Sequence, residues 1–285
     1  MIIRVRTLMY GKEASNQKQE IDRQHHTIPN QRSQRPKDKH YGNVYNRLWN
    51  PSINLFRQIL VSRNEEKLKK QQNNLQSQYH VAVKYIVCEL TQSNAVDLIF
   101  ERLNNWQVSV DFLVNNAGFN ECGLFTNTDM EQEMKMIDLH IRFVTQITKR
   151  ILPMMKKNNY GRIVNVGSTG SFIPSPSDAV YSATKAYIMS FSNALYGELK
   201  KTDIKITSLC PGATETEFAA KANIQNTLLF KYAVMKPESV VEIAYPKLMK
   251  GKRLVVPGIY NKLLVFFSKI LPIGVTNSIT LTMMK

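Results

Sequence analysis

The strongest constraint on this chain is an alternation that runs from Ile59 to Val256. Short, β-branched apolar runs take turns with longer segments of helical periodicity. Residues 59–61, 81–88, 110–114, 162–166, 204–209 and 253–256 read as strands, because β-branched residues stack well on a pleated surface. Residues 64–78, 93–106, 129–155, 178–200 and 237–249 read as helices. In the second of these, Val96, Ile99, Phe100 and Leu103 fall on one stripe. Glu65 and Glu66 sit where a helix N-terminus favours acids. Strands alternating with helices of this length specify βαβ units, hence an α/β fold with a doubly wound parallel sheet. Ligands of such sheets bind at the carboxyl ends of the strands. The loops after Val61, Cys88, Val114, Val166 and Leu209 are therefore expected to converge on one crevice.

The two ends of the chain read differently. Residues 1–57 form a polar basic segment, illustrated by Gln31-Arg32-Ser33-Gln34-Arg35-Pro36-Lys37, with no sustained periodicity. That composition points to disorder or a non-native stretch. Residues 58–285 read as a single domain. The net charge is +16, concentrated in the ends, since residues 59–218 hold 17 basic and 16 acidic groups. No nucleic-acid module accompanies the basic ends, so a solvated surface is the expected reading and nucleic acid is not an expected partner. Cys88, Cys122 and Cys210 form no CxxC pair, and no histidine stands at zinc spacing, so no metal is expected. Sparse thiols suit a reducing compartment and a cytoplasmic location. Arg4 and Arg6 precede no apolar run, and no stretch approaches the length of a membrane span.

Three groups carry chemistry. Ser168 follows the strand 162–166. Tyr181 lies 13 residues further on, and Lys185 follows one helical turn later. Tyr and Lys at i and i+4 share a helix face. An ammonium beside a phenol favours the phenolate and lowers its pKa from about 10 toward working pH. Such a phenol exchanges a proton with a carbonyl/alcohol pair, and a serine hydroxyl can bond the same oxygen. A lone Tyr-x-x-x-Lys is a weak signal. Its conjunction with other motifs is stronger.

Leu113-Val114-Asn115-Asn116-Ala117-Gly118 comes first. Gly161-Arg162-Ile163-Val164-Asn165-Val166-Gly167-Ser168 follows, then Tyr181-Ser182-Ala183-Thr184-Lys185-Ala186, then Cys210-Pro211-Gly212-Ala213-Thr214-Glu215-Thr216. In this order and spacing the chain resembles the short-chain dehydrogenase/reductase family over about residues 58–270. The resemblance implies a Rossmann-like fold and hydride transfer between nicotinamide and a carbonyl or secondary alcohol. It implies that Tyr181 is the general acid/base. Lys185 would tune it and bond the nicotinamide ribose, and Ser168 would orient the substrate oxygen. Asn115, Ala117 and Gly118 would border the adenosine side of the cofactor. Pro211, Gly212, Thr214 and Thr216 would hold the nicotinamide carboxamide end. Arg63, at the end of the second strand, implies NADP rather than NAD, because a guanidinium fork suits the 2′-phosphate. Glu89, with Leu90, stands where the family places Asp beside the adenine. The family also implies a homo-oligomer, through the helices 129–155 and 178–200, and a small carbonyl or alcohol substrate.

Two departures are pronounced. The family opens with a strand and a glycine-rich turn that cradles the pyrophosphate. Residues 1–58 hold only Gly11 and Gly42, neither in such a motif. The first β-α unit is therefore replaced or disordered, and its loss is expected to leave two strands unpaired. His140 stands where the family has a water-holding Asn in its proton relay. An alternative reading follows: a catalytically impaired remnant, a pseudoenzyme or the product of a faulty gene model, lacking the pyrophosphate loop. Residues 259–273, apolar and flanked by Lys262 and Lys269, could line a lipid-like substrate, form a subunit interface or rest on a membrane.

Overall fold

The computed structural model describes residues 1–7, 56–218, 222, 227–228 and 234–283. In chain order these form strand β1 (Ile2–Thr7), β2 (Phe56–Ser62), helix α1 (Glu65–Tyr79), β3 (Ala82–Val87), α2 (Ala95–Asn105) and β4 (Val108–Asn115). Next come α3 (Met130–Ile137), a wide π-turn over Asp138–Phe143, α4 (Val144–Lys157), β5 (Gly161–Val166) and α5 (Ala179–Glu198). The chain continues through β6 (Ile204–Leu209), α6 (Pro237–Met249), β7 (Leu254–Val255), α7 (Ile259–Ser268) and α8 (Ile273–Met283). The strands make one seven-stranded sheet in the order β3-β2-β1-β4-β5-β6-β7.

The caps explain the boundaries. Asn64 accepts the Lys67 N–H at 2.8 Å, and Asp129 accepts the Glu131 N–H at 2.7 Å, each satisfying a donor that the first helical turn leaves orphaned. His80, in the left-handed region, ends α1. The helix expected over 129–155 is interrupted by the π-turn, which turns Leu139, His140 and Phe143 inward together.

The N-terminal residues depart from the sequence reading. No strand is expected before residue 59, yet Ile2–Thr7 fills the central slot of the sheet. It runs antiparallel to both neighbours, with Ile2 opposite Leu60 and Val114. β2 and β4 are therefore paired, and the expected unsatisfied edges do not arise. The other neighbouring strand pairs are parallel. The physical reason lies in Ile2, Ile3 and Val5. Ile3 and Val5 are completely buried on one face of the sheet, and each contributes roughly 1.5–3 kcal/mol of apolar burial. Reversal has a topological consequence. Thr7 lies opposite Val108, at the amino end of the parallel strands, and Phe56 re-enters opposite Arg6 at that same end. Thr7 and Phe56 therefore both stand away from the carboxyl-end crevice. The rest of the polar segment, residues 8–55, lies outside the described residues.

One face of the sheet carries a single large core. There α2, α4 and α5 pack through residues such as Ile99, Leu103, Ile147, Ile151 and Ile188 against Ile3, Val5, Ile59 and Ile163. The opposite face carries two separate clusters. α1 covers β2 and β3 through Leu68 and Leu75, and α6 covers β4 to β7 through Ala244 and Leu248. Between these clusters runs a cavity of about 1250 Å³, floored by Ile2, Phe112 and Val164 and continuous with the carboxyl ends of the strands.

Candidate active site

Ser168, Tyr181 and Lys185 all line that cavity. Ser168 leaves β5 in extended conformation and caps a single tight turn. Its hydroxyl accepts the Gly170 N–H at 3.1 Å, while Ser171 Oγ accepts the Ser168 N–H at 3.2 Å. This reciprocal pair fixes the serine without consuming its proton. Tyr181 and Lys185 project from the first turns of α5. The Lys185 Nζ donates to the Val166 carbonyl at 3.0 Å and lies 5.5 Å from the Tyr181 ring centre.

The electrostatics correct one expectation. Burial raises the Tyr181 pKa well above the usual phenol value, although a hydrogen bond from Ser168 opposes it and Asp178 and Cys210 raise it further. Desolvation lowers the Lys185 pKa to about 8, and its ammonium is held by the Val166 carbonyl. At neutral pH the site therefore holds a protonated phenol, ready to donate. Cys210, behind Gly167, is pushed up to about 11 by burial, so it is an inert thiol rather than a nucleophile.

His140 is buried beside this pair. Its Nδ1 lies 2.9 Å from Thr184 Oγ1, and that hydroxyl spends its proton on the Tyr181 carbonyl at 2.8 Å. Nδ1 therefore carries the imidazole proton, and Nε2 is an acceptor, buried without a partner among the described residues. Burial, with Lys185 nearby, holds the His140 pKa well below the ordinary value, so the ring stays neutral. Its ring packs 6.0 Å from that of Tyr181, and Phe218 packs 5.8 Å from the other side. A β-carbon on Gly118 would sit 2.8 Å from His140 Nε2, which is why only glycine fits there.

The other sequence-derived residues divide. Gly118, Pro211, Gly212, Thr214 and Thr216 line the cavity. Thr214 Oγ1 donates to the Gly212 carbonyl at 3.0 Å, and a side chain at Gly212 would collide with Asn261. Asn115 is turned away. Its Nδ2 donates to Asn165 Oδ1 at 2.8 Å, and Asn165 in turn donates to Ser192 at 2.9 Å, which ties β4, β5 and α5 together. Asn116, not Asn115, borders the cavity. Leu90 is buried in the core, with Ala117 packed against it. Arg63 and Glu89 meet in an ion pair at 3.1 Å at the tips of β2 and β3, outside the cavity lining. Burial raises the Glu89 pKa, but bonds from Arg63 and Thr91 outweigh it and hold the carboxylate below its usual value.

Several cavity residues escape the sequence reading. Asp178 stands at the N-cap position of α5 without its side chain bonding the helix N–H groups, and accepts from Asn120 Nδ2 at 2.9 Å, while the Gly123 N–H donates to the Ser177 carbonyl at 2.8 Å. These contacts clasp the loop after β4 to the loop before α5. Asp178 is legible as an acid before a helix; Asn120 carries no signal. Lys67 and Glu217 line the cavity from opposite sides.

With this geometry in view, the comparisons are consistent. The family described as short chain dehydrogenase matches residues 54–227. An uncharacterized oxidoreductase of Staphylococcus epidermidis is 32% identical over 158 residues, covering 55% of this chain and 67% of that one. A counterpart in Staphylococcus aureus is 30% identical over 165 residues, covering 58% and 70%. Among solved structures, a 7β-hydroxysteroid dehydrogenase superposes with a TM-score of 0.70 at 22% identity, over 78% of this chain and 86% of that one. A short-chain dehydrogenase from Sphingobium yanoikuyae in complex with NADPH gives 0.65 at 25% identity, over 74% and 84%. The matched segment, the strand order and the grouping of Ser168, Tyr181 and Lys185 agree: this chain belongs to the short-chain dehydrogenase family of oxidoreductases.

Proposed function

We propose that this chain is an NADP-dependent oxidoreductase that interconverts a carbonyl and a secondary alcohol on a small, apolar substrate. The observation that carries the reading is the convergence of Ser168, Tyr181 and Lys185 with the Pro211–Thr216 strand end on one cavity. The nicotinamide cofactor supplies the hydride when bound. The chain's own residues do the rest. Tyr181 donates its phenolic proton to the substrate oxygen, which its raised pKa suits to reduction at neutral pH. Ser168 orients that oxygen. Lys185 secures the ribose of the cofactor when it leaves the Val166 carbonyl. Phe218, Leu264 and the α6 face supply apolar wall for a lipid-like substrate.

The fit to a dinucleotide differs between its two ends. At the nicotinamide end, Lys185 supplies a donor, and Gly118 and Gly212 line the cavity without side chains. At the pyrophosphate end, no glycine-rich turn stands above β1 among the described residues, because β1 runs the other way. That observation supports the second reading, a chain of the same family with impaired cofactor binding. Arg63 favours NADP over NAD once its guanidinium exchanges Glu89 for the 2′-phosphate.

The reading extends to a cytoplasmic homo-oligomer. Leu124, Phe125, Met130 and Met134, exposed at and before α3, form apolar surface for a subunit contact. Among the described residues no helix is long and apolar enough to cross a membrane. Calorimetric titration of the full chain with NADPH and NADH tests the first reading, with Lys185→Ala as control. Saturable NADPH binding weakened by the substitution supports it. Absence of binding by a folded chain leaves only the second.

A further inference from the structure

The cavity holds an ion pair that the catalytic description does not use. Lys67 Nζ donates to both carboxylate oxygens of Glu217, at 2.9 and 2.7 Å. Lys67 is in the first turn of α1, which rises from the carboxyl end of β2. Glu217 lies in the segment after β6. In the sheet order these strands are four intervals apart, about 19 Å at the usual strand spacing. The pair therefore crosses the crevice above β1, β4 and β5. Both residues, and Lys70 one turn further along α1, line the same cavity as Ser168, Tyr181 and Lys185.

We propose that Lys67 is the diphosphate-binding cation of this crevice, and that the Glu217 carboxylate occupies it until a dinucleotide arrives. This rests on the nicotinamide-cofactor reading above. A diphosphate needs donors over the central strand, and among the described residues the reversed β1 leads into no turn or helix N-terminus there. The start of α1 does not replace them through its backbone. The Lys67 N–H is already taken by Asn64 at 2.8 Å, and Glu65 and Glu66 fill the first turn with negative charge. Among the described residues the side chain of Lys67 stands over this crevice, and it already grips both carboxylate oxygens of Glu217. Lys67 and Glu217 are 59% and 62% exposed, so their attraction is weak and readily exchanged. A diphosphate presents more charge and more acceptor oxygens than one carboxylate, and Lys70 adds a second cation on the same helix face.

The test uses the full chain, its Lys67→Met and Glu217→Gln variants, and three probes: NADPH, inorganic pyrophosphate and reduced nicotinamide riboside. Binding of the first two is read by calorimetry and of the riboside by ligand-observed NMR. Near-UV circular dichroism checks folding, which these exposed substitutions should spare. Glu217→Gln should tighten NADPH and pyrophosphate about threefold, the worth of an exposed ion pair. Lys67→Met should weaken both at least about fivefold, for loss of a charge-assisted bond. The phosphate-free riboside should respond to neither. Opposite signs are the signature, since a merely structural strap would be broken equally by either variant. Shifts of the same sign, no shift, or no pyrophosphate binding to the unmodified chain would each overturn the proposal. If pyrophosphate behaves as expected and the riboside fails to bind, the anion site stands and the nicotinamide reading falls.

Discussion

Lys185 gives a stability prediction whose sign runs against its catalytic value. Its side chain is 6% exposed, and desolvation lowers its pKa from 10.5 to about 8. Below about pH 8 both the folded and unfolded chains carry the proton, so the folded chain bears the whole cost of a buried ammonium. Between about 8 and 10.5 the unfolded chain holds the proton and the folded chain does not, so stability rises with pH. The shift corresponds to about 3 kcal/mol, fully present as destabilisation at pH 7 and gone by pH 10.5. Lys185→Met removes this ionisation. It also strips the Val166 carbonyl of its donor, which costs about 1 kcal/mol. The variant should therefore be the more stable protein at pH 7, by about 2 kcal/mol. That advantage should shrink and then reverse as pH approaches 10.5. Urea unfolding of both proteins from pH 7 to 10.5 measures it, and other titrating groups cancel in the difference. A difference that stays flat over this range would show that Lys185 is not desolvated in the folded chain.

Three further outcomes follow from named contacts. Ile3→Ala, at a fully buried site in the reversed strand, should cost about 3 kcal/mol in chemical unfolding; a change near zero would remove β1 from the sheet. Gly118→Ala should cost about 1–3 kcal/mol, because its methyl meets His140 Nε2 at 2.8 Å, and His140→Ala in the same chain should recover most of it in a double-mutant cycle. Glu89→Gln should free the Arg63 guanidinium and raise the NADPH-to-NADH preference in binding titrations about threefold; an unchanged ratio would separate Arg63 from cofactor choice.

How much of this was legible in the sequence depends on the range of the interactions that decide each feature. The strands β2 to β7 and the helices α1 to α6 were legible because their signals are local: apolar period, cap and strand-ending turn; α7 and α8, in the apolar C-terminal stretch, were not. The grouping of Ser168, Tyr181 and Lys185 was legible because one strand end and two helical turns fix it. β1 was not. Six residues with three aliphatics do not outweigh a long polar stretch in any local window, and their place depends on pairing with β2 and β4, across up to a hundred residues or more of chain. Nor does direction leave a trace in composition, because alternating burial serves parallel and antiparallel pairing alike.

The direction of the Tyr181 shift escaped the sequence for the same reason. Spacing put Lys185 beside Tyr181, and a pairwise Coulomb argument then lowered the phenol pKa. Burial belongs to the assembled core and is the largest cause at both residues, raising the Tyr181 pKa and lowering that of Lys185. Asn115 fails similarly: its motif fixes the turn, while Asn165 and Ser192, distant in sequence, decide which way the amide points. Reversing one central strand thus separates what the family joins. Ser168, Tyr181 and Lys185 still meet at one cavity because the end of β5 and the start of α5 place all three. The proposed phosphate end depends on how the chain crosses the middle of the sheet, and there, among the described residues, α1 and the segment after β6 bring Lys67 and Glu217 to the cavity.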